Sequence, residues 1–288
     1  MSGDAGQPKH DNSIEAQCMR LKFWGVRGSI PTPSASHLQH GGNTPCVEVR
    51  ADDGTLCIFD AGSGLRGAGQ SLLQEFGDAL PTVNVCLSHY HWDHIQGIPF
   101  FAPMYGQKHR VAFRAAGALG RVRSLLWGQM STPYFPVNLG DLVAQHSFDE
   151  LDSEFKVGSV TIHPFALNHP QGSFGYRVEA DGKVFVYACD HEHGVKEIDL
   201  RLRDFAQGAD VLICDAQYTP EEYPLRRGWG HGTWAECTAV ARDAAAKQLV
   251  LFHHDPDHDD AAMRQIAQDA RAEFENTLAG REGFTVDL

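Results

Sequence analysis

The apolar, β-branched run Val83-Asn84-Val85-Cys86-Leu87 leads directly into Ser88-His89-Tyr90-His91-Trp92-Asp93-His94. Three imidazoles and a carboxylate fall within six residues at the end of a strand, a density of ligand-type side chains that is hard to account for without metal. If His89 and His91 continue the strand's period of two, both rings point to one face and can grip a single cation. Asp93 and His94 then fall where the chain turns and face a displaced point. Two adjacent metal positions follow, one held by His89 and His91, the other by Asp93 and His94. Neutral imidazoles with a carboxylate oxygen suit Zn2+, with Mn2+ or Fe2+ as alternatives, far better than Ca2+ or Mg2+. The competing explanation, a polar loop in a chain that holds 16 histidines, does not account for the position at a strand end.

Further strand-like runs, short, β-branched or aromatic and bounded by Gly, Asp or Asn, lie at residues 20–24, 46–50, 56–59, 111–114, 160–165, 174–179, 184–188, 211–214 and 249–252. Helical periodicity marks 65–76, 234–246 and 261–278. The last of these carries Met263, Ile266, Ala270, Phe274 and Leu278 at three-to-four spacing, a stripe of the kind that faces a core. The pattern predicts an α/β chain of two sheets covered by outer helices. Residues 99–138, with four prolines among aromatics, read as a folded insertion beside the site. Phe100, Phe101, Tyr105, Trp127, Tyr134 and Phe135 are candidates for a pocket wall, although core packing or a dimer contact explains any one of them better.

With 288 residues, 42% of them hydrophobic, the chain can bury a full core as one large domain or two intimate halves. Residues 1–17 are polar and lack the apolar stretch of a secretory signal, so they read as a disordered lead. Seven cysteines without paired spacing, several inside apolar runs (Cys57, Cys86, Cys214), look like small buried hydrophobes and point to a reduced, cytoplasmic setting. No apolar run approaches the ~18 residues that a membrane span requires. A formal charge of −13 disfavours long nucleic acids, which are held through their phosphates. A small phosphate substrate drawn to bound cations fits more easily. The basic stretch 108–123 is as well explained by a solvated face as by substrate contact.

The His-x-His-x-Asp-His run after a hydrophobic strand resembles the metallo-β-lactamase fold superfamily of hydrolases. Asn43-Thr44-Pro45-Cys46-Val47-Glu48-Val49 and Phe59-Asp60-Ala61-Gly62-Ser63-Gly64 resemble its early strands and loops. The likeness is nearest to the branch that includes ribonuclease Z, the phosphonate-pathway cyclic phosphodiesterase and bacterial cyclic-nucleotide phosphodiesterases. It implies a four-layer αββα sandwich, formed by residues 18–288 as one domain, and a homodimer. It also implies the remaining ligands: His169, in a turn after an apolar run; Asp190, whose two oxygens can bridge two cations; and a histidine of the pair His253-His254, which cannot both face one way. The family's last ligand resembles the first of these, His253. Cys189, one residue before Asp190, is expected on the opposite face. The implied set is His89, His91 and His169 on one ion, Asp93, His94 and His253 on the other, and Asp190 between. Each ion keeps an open position, as catalytic sites do. His37, His40, His191, His193 and His258 remain as hydrogen-bonding neighbours or exposed side chains.

Two cations about 3.5–4 Å apart can share a hydroxide that attacks a phosphodiester, with Asp93 placed to orient it or take its proton. A second catalytic candidate is His231, in Gly228-Trp229-Gly230-His231-Gly232-Thr233-Trp234-Ala235-Glu236. Thr233 and Glu236 fit a capping box, so His231 stands ahead of a helix N-terminus, a place that favours anions. In the ribonuclease Z-like branch a histidine before a comparable helix contacts the phosphate and assists the leaving group; a capping or packing histidine is the plainer alternative. Ribonuclease Z enzymes typically carry a long arm for transfer RNA where this chain has only a short hairpin-like stretch between His169 and Asp190. With the acidic charge, this turns the expectation from tRNA 3′-end cleavage towards cyclic or small nucleotide phosphodiesters. A lactonase or thioesterase of the same fold and a non-catalytic nucleotide-binding module are the rivals. Tyr218 and Tyr223 are candidates for stacking on a base.

Overall fold

The short β-branched and aromatic runs pair into two seven-stranded sheets. The computed structural model describes residues 18–117, 121–151 and 153–288; the polar lead at 1–17 lies outside the described residues. The first sheet holds β1 (Arg20–Gly25), β2 (Cys46–Arg50), β3 (Leu56–Phe59), β4 (Val83–Leu87), β5 (Arg110–Ala116) and β6 (Gln145–Leu151). The second holds β7 (Phe155–Val157), β8 (Val160–Leu167), β9 (Ser173–Ala180), β10 (Lys183–Ala188), β11 (Val211–Asp215), β12 (Leu249–Phe252) and β13 (Thr277–Ala279). The last strand, β14 (Thr285–Asp287), returns to the first sheet and pairs with β1. In chain order each sheet begins with antiparallel pairs and continues with parallel ones, from β3 in the first and from β10 in the second.

Alternation across a strand divides each central run between two buried faces. On β10, Phe185 and Tyr187 point between the sheets, whereas Val186 and Ala188 point outward under the helices. On β4, Val83, Val85 and Leu87 face outward and Cys86 inward. Phe23, Phe59, Tyr176, Phe252 and Tyr187 fill the space between the sheets. The outer face of the first sheet is covered by α1 (Gly64–Phe76) and α3 (Val122–Gln129), with the single turn α2 (Trp92–Ile95) at its end. Over the second lie α4 (Lys196–Ala206), α5 (Trp234–Asp243) and α6 (Asp260–Glu273). The result is the four-layer αββα sandwich.

Two expectations are corrected. The helix expected over 261–278 stops at Glu273, because Phe274 is extended (φ −144°) and the chain enters β13; Leu278 packs on the inter-sheet core rather than on a helix face. Residues 99–138 are not an insertion, since they supply β5, the strand between β4 and β6, and α3. Between His169 and Asp190 the chain forms the short hairpin expected, β9 and β10 joined by the two-residue turn Asp181-Gly182, both with positive φ (55° and 71°) as a tight hairpin of this kind requires. Among the described residues, no helix is long and apolar enough to cross a membrane.

Phe59 is fully buried, with ring centroids of Tyr176 and Phe185 each 5.5 Å away and that of Tyr187 at 5.8 Å. Phe59→Ala is expected to lower the unfolding free energy by about 3–5 kcal/mol, measured by denaturant titration.

Candidate metal centre

The residues singled out by the sequence gather at the C-terminal ends of strands. His89, His91, Asp93 and His94 follow β4; His169 follows β8, Asp190 follows β10 and His253 follows β12. Asp190 and His253 adopt left-handed backbone (φ 58° and 57°), as does Asp60 after β3 (φ 59°). Each turns the chain sharply off its strand and aims a side chain back across the sandwich's end.

Asp190 sits at the middle. Its Oδ2 is 3.5 Å from His89 Nε2 and 3.5 Å from His169 Nε2, and His169 Nε2 is 3.1 Å from His91 Nδ1. Its Oδ1 is 3.3 Å from both His94 Nε2 and His253 Nε2. Asp93 Oδ2 joins this second group, 3.3 Å from His94 Nε2 and 3.1 Å from His253 Nε2. His89, His91, His169 and one oxygen of Asp190 could thus hold one cation; His94, His253, Asp93 and the other oxygen, with the Cys189 sulfur beside them, could hold a second. His89 and His91 meet by a different route from the one expected. β4 ends at Leu87, and the two rings present different nitrogens, Nε2 and Nδ1.

The outer ring nitrogens decide the chemistry of the inner ones. His94 Nδ1 donates to Asp60 Oδ2 (2.8 Å), His253 Nδ1 to Gln217 Oε1 (2.9 Å), His169 Nδ1 to the Gly230 carbonyl (2.8 Å) and His91 Nε2 to Gln171 Oε1 (3.2 Å). Ser88 Oγ spends its proton on Asp60 (2.8 Å) and so accepts from His89 Nδ1 (3.0 Å). Five inward nitrogens are left with lone pairs facing two carboxylates, and the Nε2 atoms of His89 and His94 are buried with no hydrogen-bond partner. Such a set is satisfied by a cation. Burial, reinforced by His94, drives the His89 pKa well down, so it does not take a proton. Burial also lowers His253, but Asp190 and Asp93 outweigh it and carry it to about 9. The field that would hold a proton there is the field that binds a divalent ion in its place. Asp93 is fixed further by the backbone N–H of Ser29, 2.8 Å from its Oδ2.

Several neighbours fall differently from the expectation. Cys189 does not face away, because the left-handed turn at Asp190 breaks the alternation; its thiol donates to Asp190 Oδ1 at 2.9 Å, and burial holds its pKa well above the usual thiol value. His254 points away from the centre and contacts the Gly280 carbonyl (2.9 Å). His191 accepts the Asn168 N–H at Nδ1 and donates from Nε2 to Asp199 (3.1 Å), which uses both nitrogens. Tyr218 is buried and offers no free face. His231 stands beside the centre, stacked on His253 (centroids 4.8 Å, 18° between planes), with its Nδ1 donating to Asp215 Oδ2 at 2.8 Å. Thr233 and Glu236 form the expected capping box. Asp60, Asp215 and Gln217 had no signal as partners in the sequence, since each pairs with a histidine 16 to 36 residues away. Gly28 was also missed: a Cβ there would lie 2.5 Å from the His253 ring, so only glycine lets this loop pass.

A family model described as the beta-lactamase superfamily domain matches residues 56–254. The chain belongs to the beta-lactamase superfamily. It is 24% identical to a ribonuclease Z from Thermoplasma acidophilum, over 93% of this chain and 95% of that protein. Among solved structures it is similar to the metallo-beta-lactamase fold protein YhfI from Bacillus subtilis (TM-score 0.72, 20% identity, 94% of this chain and 100% of that one). It is also similar to a new diphosphatase from the PhnP family (TM-score 0.68, 18% identity, 94% and 98% covered). The likeness to ribonuclease Z runs nearly the whole length of both chains, and the solved structures share the four-layer sandwich.

Asp60→Asn keeps the shape but takes away the charged acceptor of His94. It is expected to weaken metal affinity by about 10–100-fold, read by competition with a chromophoric chelator, while circular dichroism stays native-like.

Proposed function

We propose that the protein is a dinuclear metal-dependent phosphodiesterase that hydrolyses cyclic or other small nucleotide phosphodiesters. The observation that carries the reading is the pair His231–Asp215 set against the two-lobed histidine–carboxylate cluster. Two divalent transition ions, Zn2+ or else Mn2+ or Fe2+, held by His89, His91, His169, Asp190, Asp93, His94 and His253, would supply water activation and neutralise charge on the phosphoryl oxygens. Asp190 divides its oxygens between the two sets, and Asp93, pinned by Ser29, is placed to orient the attacking water. Asp215 accepts the Nδ1 proton of His231 and fixes the ring. The ring stands beside the centre, its Nδ1 also 4.0 Å from Asp190 Oδ2, and to its protonated Nε2 we assign the transfer of a proton to the departing alkoxide. The phosphodiester reading is preferred over a lactonase or thioesterase because the likeness to ribonuclease Z runs nearly the whole length of the chain.

A tRNA 3′-end endonuclease is the second reading, favoured by the whole-length similarity to a ribonuclease Z. Against it stand the two-residue turn between β9 and β10 and the formal charge of −13, neither of which suits a long polyanion. A panel of bis(p-nitrophenyl) phosphate, cyclic nucleotides, a tRNA precursor and an acyl lactone separates these readings; turnover of the lactone alone, or of the precursor alone, overturns the one proposed.

His231→Ala is expected to lower kcat on phosphodiesters by about 10²–10⁴-fold with metal content unchanged by elemental analysis. Asp190→Ala should lose both metal and activity. Chelation should abolish turnover, and one of the three metals should restore it.

A further inference from the structure

A cleft of about 740 Å³ opens beside His169, whose Nε2 lies in the metal cluster, so cleft and centre share one imidazole. Besides His169 its wall carries two carboxylates, a second imidazole and a guanidinium, and their hydrogen bonding sorts them. Glu192 is occupied: Oε1 accepts the Tyr223 hydroxyl (2.8 Å) and the Gly228 N–H (2.7 Å), and Oε2 accepts the Gly230 N–H (2.8 Å). Glu236 is turned back on Thr233, accepting its N–H (3.0 Å) and its hydroxyl (2.9 Å). The bases are free. Arg227 lies over the Tyr223 ring (5.7 Å) and has no ion pair among the described residues. His193 turns Nδ1 towards Asp199 Oδ1 (3.6 Å), a carboxylate already fixed by His191 Nε2 and the Gly194 N–H, and its Nε2 has no hydrogen-bond partner among the described residues.

In a chain with 37 acidic and 24 basic residues, a cleft whose carboxylates are turned onto neighbouring donors while its guanidinium and one imidazole nitrogen are left without partners among the described residues is a place for an anion. Since the metal cluster is proposed to take the scissile phosphodiester, we infer that this cleft takes a second phosphate of the same substrate, held by Arg227 and His193. The preferred substrates are then phosphodiesters that bear a further phosphoryl group, such as a 5′-phosphorylated dinucleotide. The identity of the scissile group rests on the proposed phosphodiesterase activity; the anion-binding role of the cleft does not.

The test compares two dinucleotides with a phosphorothioate linkage, one bearing a 5′-phosphate and one a 5′-hydroxyl, titrated calorimetrically into the metal-loaded protein. The 5′-phosphorylated probe is expected to bind about tenfold more tightly, the scale of one charge-assisted contact pair. Arg227→Met and, separately, His193→Gln should shrink that preference, and Arg227→Lys should keep part of it. Equal affinity for the two probes in the native protein, or a preference that survives Arg227→Met, overturns the assignment. The corresponding oxygen diesters are followed for turnover in parallel. If the affinity preference holds and neither diester is cleaved, the phosphodiesterase reading fails and the anion site stands; if both are cleaved and bound without preference, the anion site fails and the phosphodiesterase reading stands.

Discussion

The carboxylate of Asp60 joins the two sheets to the metal cluster. It follows β3 in the first sheet, and its oxygens accept from Ser88 N (2.7 Å), Ser88 Oγ (2.8 Å), His94 Nδ1 (2.8 Å) and Tyr187 OH (2.7 Å). Tyr187 belongs to β10 of the second sheet and is packed among the inter-sheet aromatics. An ionised carboxylate with no exposure to water would cost several kcal/mol if left bare; four donors answer it. Every one of those donors is then fixed in direction. His94 can point only its Nε2 inward, Ser88 can only accept from His89, and β10 is held at the height that brings Asp190 level with both. The sandwich core and the placement of the inward nitrogens are therefore one problem with one solution.

The parallel halves of the sheets explain why the cluster forms where it does. β3, β4 and β5 run in one sense, as do β10, β11 and β12, so their C-terminal ends open on the same edge of the sandwich. Loops leaving that edge carry Asp60, the His89–His94 run, Asp190, Asp215 at the end of β11, and His253. Each sheet alone holds an incomplete set: the first brings His89, His91, Asp93 and His94, the second His169, Asp190 and His253. Charge balance is met only when the edges meet. Asp93 and Asp190 lie among five imidazoles whose outer protons are already committed, and a pair of cations satisfies both the lone pairs and the carboxylates at once.

What could be read in the sequence was what is local. The run after β4 is contiguous, so its chemistry shows without a fold, and β2, β3, β4 and β12 have the bounds expected from their short runs of apolar residues. Elements whose signal is weak or shared were lost. β6 is a polar strand with a single buried residue, Leu151. α4 buries only Leu202 and Ala206, too few for a clear period. The stripe 263–278 read as one helix because Phe274 and Leu278 are apolar for different reasons, one under the outer layer and one between the sheets. The orienting residues were invisible on other grounds. Asp60 meets Tyr187 across 127 positions, and no periodicity encodes a contact that only the packed sandwich creates. Cys189 was misplaced because strand alternation was carried one residue past the point where the backbone leaves the β region.

That departure is shared by three corners. Asp60, Asp190 and His253 all have φ within a degree or so of 58°, a conformation that costs roughly 1–2 kcal/mol for a residue with a Cβ. Glycine would relieve the strain at each, yet each position holds a side chain that the cluster uses, so the strain is maintained by what the side chain does. A left-handed residue reverses the strand's direction within one peptide and swings its side chain back over the strand's end, which an extended residue cannot do. The cost is met by contacts that exist only in the folded sandwich: four donors on Asp60, four imidazoles around Asp190, and Gln217 with Asp93 on His253. Release of any corner would let its side chain drop to the solvent side, and the remaining lone pairs would face one another without the geometry to hold a cation. The strained corners are thus the means by which a rigid core dictates the direction of the reactive groups, with little left for the loops to decide.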